Sequence, residues 1–276
     1  TLTLGSSTGA FFGIVGTTSL ADIILNSNAT FNTAVTADNL TIAASKTATV
    51  KGDVTIASNI TLSGSSTLAV NNASAVTIAG TIVDSGDSNT ISVNDSTASA
   101  APDEADFTGT VAADSLTLGT STTAGKAKFS GSGGATITSV TITGGDHANE
   151  DSTATFDYAL NATDITLNDN TGSSKIIFAE DNSVTITGSI DGASAGEGTL
   201  QVTGTLKTFS GAIGTTRIDA LDIDAAVSFS SSVATTTATI DGAINTAANL
   251  NVSTTSNLGA SVTTSGTQTY TGGVTL

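Results

Sequence analysis

The sequence predicts an all-β fold, specifically a right-handed parallel β-helix (β-solenoid) with about three short strands per turn. Short apolar-x-apolar triplets separated by Gly, Ser, Asn and Asp recur along all 276 residues. No stretch sustains a 3.6-residue period with caps, and Thr, Ser, Gly and Asn dominate the chain. The core must be built from Val, Ile, Leu and a few Phe, because Trp, Met and Cys are absent and aromatics reach only 4%. Side chains of that size fill a thin coil more readily than a thick sandwich.

The triplets are Leu40-Thr41-Ile42, Val54-Thr55-Ile56, Ile60-Thr61-Leu62, Val76-Thr77-Ile78, Leu116-Thr117-Leu118, Val140-Thr141-Ile142, Ile165-Thr166-Leu167, Val184-Thr185-Ile186 and Leu250-Asn251-Val252. Alternation on a strand sends two apolar side chains inward and a Thr or Asn outward. The expected inward set therefore includes Leu40, Ile42, Val76, Ile78, Leu116, Leu118, Ile165, Leu167, Val184 and Ile186. Parallel strands cannot be joined by tight hairpins, and the Gly, Asn, Ser and Asp between triplets supply the turns. Their irregular spacing predicts turns of variable length. Ala220–Ala226 has room for one or two helical turns at most.

Two internal echoes stand out. Gly13–Leu25 (GIVGTTSLADIIL) matches Gly211–Ile223 (GAIGTTRIDALDI), an offset of 211 − 13 = 198 residues that continues through Phe31 and Phe229, Val35 and Val233. Gly13, Gly16, Gly211 and Gly214 are the expected turn glycines. Ala75–Ile82 resembles Ser183–Ile190 at an offset of 184 − 76 = 108. One solenoid domain over 1–276 is expected, with loops near 94–106 and 144–152 protruding. The start at Thr1, without a signal-peptide pattern, reads as a processed or excised segment of a longer repeat chain.

Two acidic groups are the candidates for chemistry. Asp146, Glu150 and Asp151, beside the only His, His147, are calcium candidates. Asp84 and Asp87, near Asp95 and followed by Asp103, Glu104 and Asp106, form a second oxygen-rich group. A solvated acidic turn is the plainer reading of both, since neither spacing matches an EF-hand or a zinc motif. Gly131–Gly134 reads as a turn, and no nucleophile elbow, P-loop or dinucleotide fingerprint is present. With one Arg, Arg217, two Tyr and no Trp, the means of gripping a sugar in a hydrolase are thin, and the chain is expected to be non-enzymatic.

Seven Lys and Arg stand against 24 Asp and Glu, a net charge of −17, which argues against nucleic acid as a partner. No apolar run is long enough to make a transmembrane helix. Absence of Cys removes disulfides and thiolate metal sites.

The Gly-Thr-Thr text followed by Phe31, again by Phe229, and the closing Thr263–Leu276 (TTSGTQTYTGGVTL) resemble the repeat-rich passenger regions of bacterial surface adhesins, the filamentous-haemagglutinin-like and autotransporter-like group. The irregular middle, roughly Asp84–Glu180, departs from that pattern. The resemblance implies a right-handed solenoid displayed outside a bacterium, with no catalytic residues carried over. The expected role is an extracellular fibre, adhesin stalk or surface-layer element that self-associates into a fibre or lattice and meets a surface glycan or a host or abiotic surface. An ice- or carbohydrate-binding module is the alternative; a polysaccharide-degrading β-helix and a phage fibre rank lower.

Overall fold

The computed structural model describes residues 1–5, 8–95, 102–205, 207–246 and 248–276. Three ladders of parallel strands wind into a β-solenoid of about 12 turns, with no helix among the described residues. At about 4.8 Å per turn this makes a rod roughly 60 Å long.

The first face runs Leu2, Ile23, Leu40, Ile60, Ile82, Val111, Ala135 and Leu160 in register. A separate ladder, Ile186, Phe209, Phe229, Thr246 and Thr264, continues it. The two segments are linked where the Thr187 amide donates to the Leu160 carbonyl at 3.0 Å. The second face carries Ala29, Ala48, Leu68, Ile91, Leu116, Val140, Ile165, Ile190, Ile213, Val233 and Leu250. The third carries Val15, Val35, Val54, Ile78, Phe107, Phe129, Phe156, Phe178, Val202, Ile223 and Ile240.

All nine triplets lie in strands. Every inward residue named from sequence is buried except Val184, which is half-buried. The turn length varies as expected, from 40 − 23 = 17 residues to 111 − 82 = 29. The largest turn falls in the irregular middle, through which the ladders continue. Turn length is free to vary because each coil needs only to return the next apolar pair to the same column.

Seven of the nine Phe are buried in the core, and their registration is a feature the triplet reading missed. Phe107, Phe129 and Phe156 stack nearly parallel, with centroids 5.0 and 4.5 Å apart, and Phe178 follows at 5.8 Å. Phe178 then meets Phe209 edge-to-face at 5.1 Å, carrying the stack from the third face to the first, where Phe229 extends it. Each such pair adds about 0.5–1.5 kcal/mol beyond the area it buries.

Neither echo repeats in phase with the coil. Val15–Leu25, Ala29–Phe31 and Val35–Ile42 match Ile213–Ile223, Val227–Phe229 and Val233–Ile240 strand for strand. Yet Phe31 belongs to the second face and Phe229 to the first, so the copies are one face out of phase. The 108-residue echo behaves likewise, with Val76 on the third face and Val184 on the first. What the echoes share is a corner with left-handed backbone: Gly16 and Gly214 have φ of 81° and 71°, and Gly80 and Gly188 have 123° and 91°. Gly211 is required by close approach, since a Cβ there would meet the Gly188 carbonyl oxygen at 1.9 Å. Gly13 is in open space, and nothing in the structure explains it.

Two expectations are corrected. Ala220–Ala226 holds no helical turn: Ile213–Ile223 is a strand in which buried Leu221 and Ile223 alternate with Asp222, and exposed Asp224 follows. Alternation of period two against a filled core outweighs the helix propensity of Ala and Leu. The stretch 94–106 is not one loop, because Asn94 and Asp95 close one strand and Glu104–Phe107 forms the next. Residues 96–101 lie outside the described residues. Gly144–Asp151 connects two strands with a turn at Ala148 and Asn149, and Ser152 opens the next strand.

Phe156→Ala should cost about 3–5 kcal/mol, read from denaturant unfolding, because it removes a buried ring packed between Phe129 and Phe178. Ile186→Asp, which places a charge at a fully buried position, should abolish the fold. A soluble Ile186→Asp variant with native circular dichroism would contradict the assigned face.

Candidate functional site

The Gly144–Asp151 turn closes on itself. The Gly145 amide donates to the Glu150 carbonyl at 2.9 Å, and the Glu150 amide to the His147 carbonyl at 3.0 Å. Glu150 is buried with its carboxylate folded back over Gly145, where a Cβ would meet Oε2 at 2.2 Å, and Oε2 accepts from the His147 amide at 3.3 Å. His147 Nε2 lies 3.7 Å from Asp146 Oδ1, and both side chains are exposed. Ligand atoms of Asp146, His147 and Glu150 thus come within 4.8 Å of one another. Asp151 is drawn off elsewhere: its Oδ1 accepts the Ser173 amide at 2.7 Å, one turn along the coil. Calcium takes six to eight oxygens, and this turn brings together two carboxylates and one imidazole.

The Asp84 carboxylate serves the backbone. Its Oδ1 accepts from Asn89 Nδ2 at 2.6 Å and from the Gly86 amide at 3.2 Å. Asn89, fully buried, also accepts from the Ser66 amide and hydroxyl and donates to the Leu62 carbonyl, which ties the corner to the preceding turn. Asp87 is exposed, and its carbonyl accepts the Ser65 amide at 2.7 Å. Further along, Glu104 lies 3.5 Å from Lys126, and Asp106 accepts from Ser130 at 2.6 Å.

The strongest polar anomaly was not among the sequence candidates. Lys207 occupies an inward position between Val184 and Val227 and is 1% exposed. Its Nζ donates to the carbonyl oxygens of Glu180 and Asn182, and to Asn182 Oδ1 at 2.8 Å. Burial pushes its pKa below the usual lysine value, opposed by the carboxylates of Asp181, Glu180 and Asp157. Beside it, Asn182 Nδ2 donates to the Asp157 carbonyl at 2.7 Å. Asp157 is itself buried, with one carboxylate oxygen 3.0 Å from Lys128 Nζ and the other, Oδ1, without a hydrogen-bond partner. A sequence signal existed: Lys207-Thr208-Phe209 has the triplet form with lysine at an apolar position.

Outside the core, Thr185, Thr208, Ser228, Asn245 and Thr263 form a registered outward row on the first face. Two shallow depressions of about 290 and 450 Å³ lie along it. No helix among the described residues is long and apolar enough to cross a membrane. Compared with known proteins, the chain matches no protein-family model, no curated protein and no solved structure.

Chelation with excess EDTA should leave the melting temperature unchanged, because the acidic turns are closed by protein hydrogen bonds; a fall restored by calcium would contradict this. The Asp222 pKa is raised by burial and by Asp224 and Asp241, against the pull of Lys175. A carboxyl group whose folded pKa is raised favours folding at low pH and loses that contribution as pH rises through the folded value. Asp222→Asn should therefore raise the melting temperature at neutral pH, with the gain vanishing in acid below the ordinary carboxylate range. An equal gain at both pH values would contradict the assignment.

Proposed function

We propose that this chain is a non-enzymatic structural element of the bacterial cell surface, a length of extracellular stalk, fibre or surface layer. The observation that carries the reading is the three-ladder coil itself: a long, thin rod whose interior is filled by side chains and whose outside is largely hydroxyl and amide. Such a rod sets a distance between two points and presents a repeated polar surface, which is what a stalk or coat requires. Net charge of −17 keeps it soluble and holds it off anionic surfaces. Its fitting partner is a further length of solenoid, in the same chain or another copy, because parallel turns extend by backbone pairing at a strand edge.

A second reading, a module that binds a neutral glycan, is favoured by one observation, the row from Thr185 to Thr263 with its shallow depressions. Hydroxyl and amide groups repeated at a fixed spacing suit the hydroxyls of a linear sugar chain.

Protease shaving and antibody labelling of intact cells that make the protein test the surface reading. The expected result is release and labelling without lysis, with rods or filaments in electron micrographs. Recovery solely from the cytoplasm would overturn it. Retention on a glycan array, lost on replacing Thr208 and Asn245 by bulky side chains, would favour the second reading.

A further inference from the structure

We propose that Lys207 and Asn182 join in an intramolecular isopeptide bond, with Asp157 as the proton-transfer group, stapling two successive turns of the coil. The pair is 207 − 182 = 25 residues apart, one turn, and the chain has no Cys with which to make a disulfide. The bond would be independent of where the protein acts.

The nucleophile and the electrophile touch at this corner, and Asp157 adjoins them, its main chain bonded to Asn182 and its charge acting on Lys207. The electrophile is Asn182 Cγ. Lys207 Nζ already touches Oδ1 of the same carboxamide at 2.8 Å, and the carbon is one carbonyl bond, about 1.2 Å, from that oxygen. The nucleophile must be the neutral amine. Burial among Val184, Val227 and Phe209 disfavours the ammonium, in line with the lowered pKa of Lys207. The leaving nitrogen, Nδ2, is held against the Asp157 main chain at 2.7 Å. The carboxylate of that residue is buried, and its Oδ1 has no hydrogen-bond partner. An unsatisfied carboxylate oxygen is costly in a low-dielectric interior, and a proton in transit is a role that accounts for it.

The step balances without an oxidant or cofactor. The Lys207 amine attacks Asn182 Cγ, forming the new C–N bond, and gives up one proton through Asp157 to Nδ2. The Cγ–Nδ2 bond then breaks, and Nδ2 leaves as ammonia. A primary amine and a carboxamide become one secondary amide and one ammonia, and Asp157 returns to its starting state. Asn182 is half-buried between exposed Asp181 and exposed Ser183, so the ammonia leaves to solvent at the corner.

Intact-mass spectrometry of the folded chain under denaturing conditions, followed by tryptic peptide mapping, tests the proposal. The expected result is a mass lower by one ammonia, with a branched peptide joining Asn182 to Lys207 and no tryptic cleavage after Lys207. Lys207→Arg should keep the full mass, and Asp157→Asn, folded by circular dichroism, should keep it or convert more slowly. The proposal is overturned by full mass with Lys207 cleaved normally. It is equally overturned if ammonia is lost while Lys207 remains cleavable, since that marks a succinimide at Asn182. Unchanged cross-linking in Asp157→Asn would remove the role given to Asp157.

Discussion

In-register parallel stacking is the constraint from which the other features follow. Each side chain lies about 4.8 Å above or below its counterpart in the next turn, so every position must tolerate its neighbour in the column. Inside, that favours like over like, and Phe107, Phe129 and Phe156 stack as flat rings because their backbones are paired residue for residue. Outside, it penalises stacked like charges. On the third face Glu104 pairs with Lys126 and Asp106 with Lys128, so opposite signs alternate. At the corners it brings backbone onto backbone, and Gly211 is needed where the chain passes the Gly188 carbonyl.

The same constraint explains why a repeat in the sequence need not be a repeat of the coil. A corner with a left-handed glycine followed by an apolar strand can join any two faces. Gly16 uses it between the third and first faces, Gly188 between the first and second, and Gly214 between the second and third. Turn lengths from 17 to 29 residues let copies of that corner drift in phase around the rod. The closing text Thr263–Leu276 supplies strands to all three faces of the coil.

Much of the fold was legible because alternation of Leu, Ile and Val with Thr is a local signal and burial enforces it strand by strand. Which triplet joins which face was not legible, since variable turn lengths leave the period undefined. Polar core residues were missed for a different reason. Asn89 looks ordinary in sequence and Lys207 is marked only by its place in a triplet, and their roles exist because the coil brings Ser66, Leu62 and Asp84 to one, and Glu180 and Asn182 to the other. The acidic candidates were partly legible. Asp146 and Glu150 do converge with His147, whereas Asp84 and Asp151 are occupied in bonds to amides that no spacing rule reveals.

Paired spin labels on the outward row of the second face test the coil most directly. Thr30, Thr117, Thr141 and Thr166 lie on that row, with Thr30 separated from the others by four, five and six steps of register. Distances measured from a label at Thr30 should rise by about 4.8 Å per step, from roughly 19 to 29 Å. Distances that fail to climb with turn number, as in an antiparallel sandwich, would contradict the stacked coil.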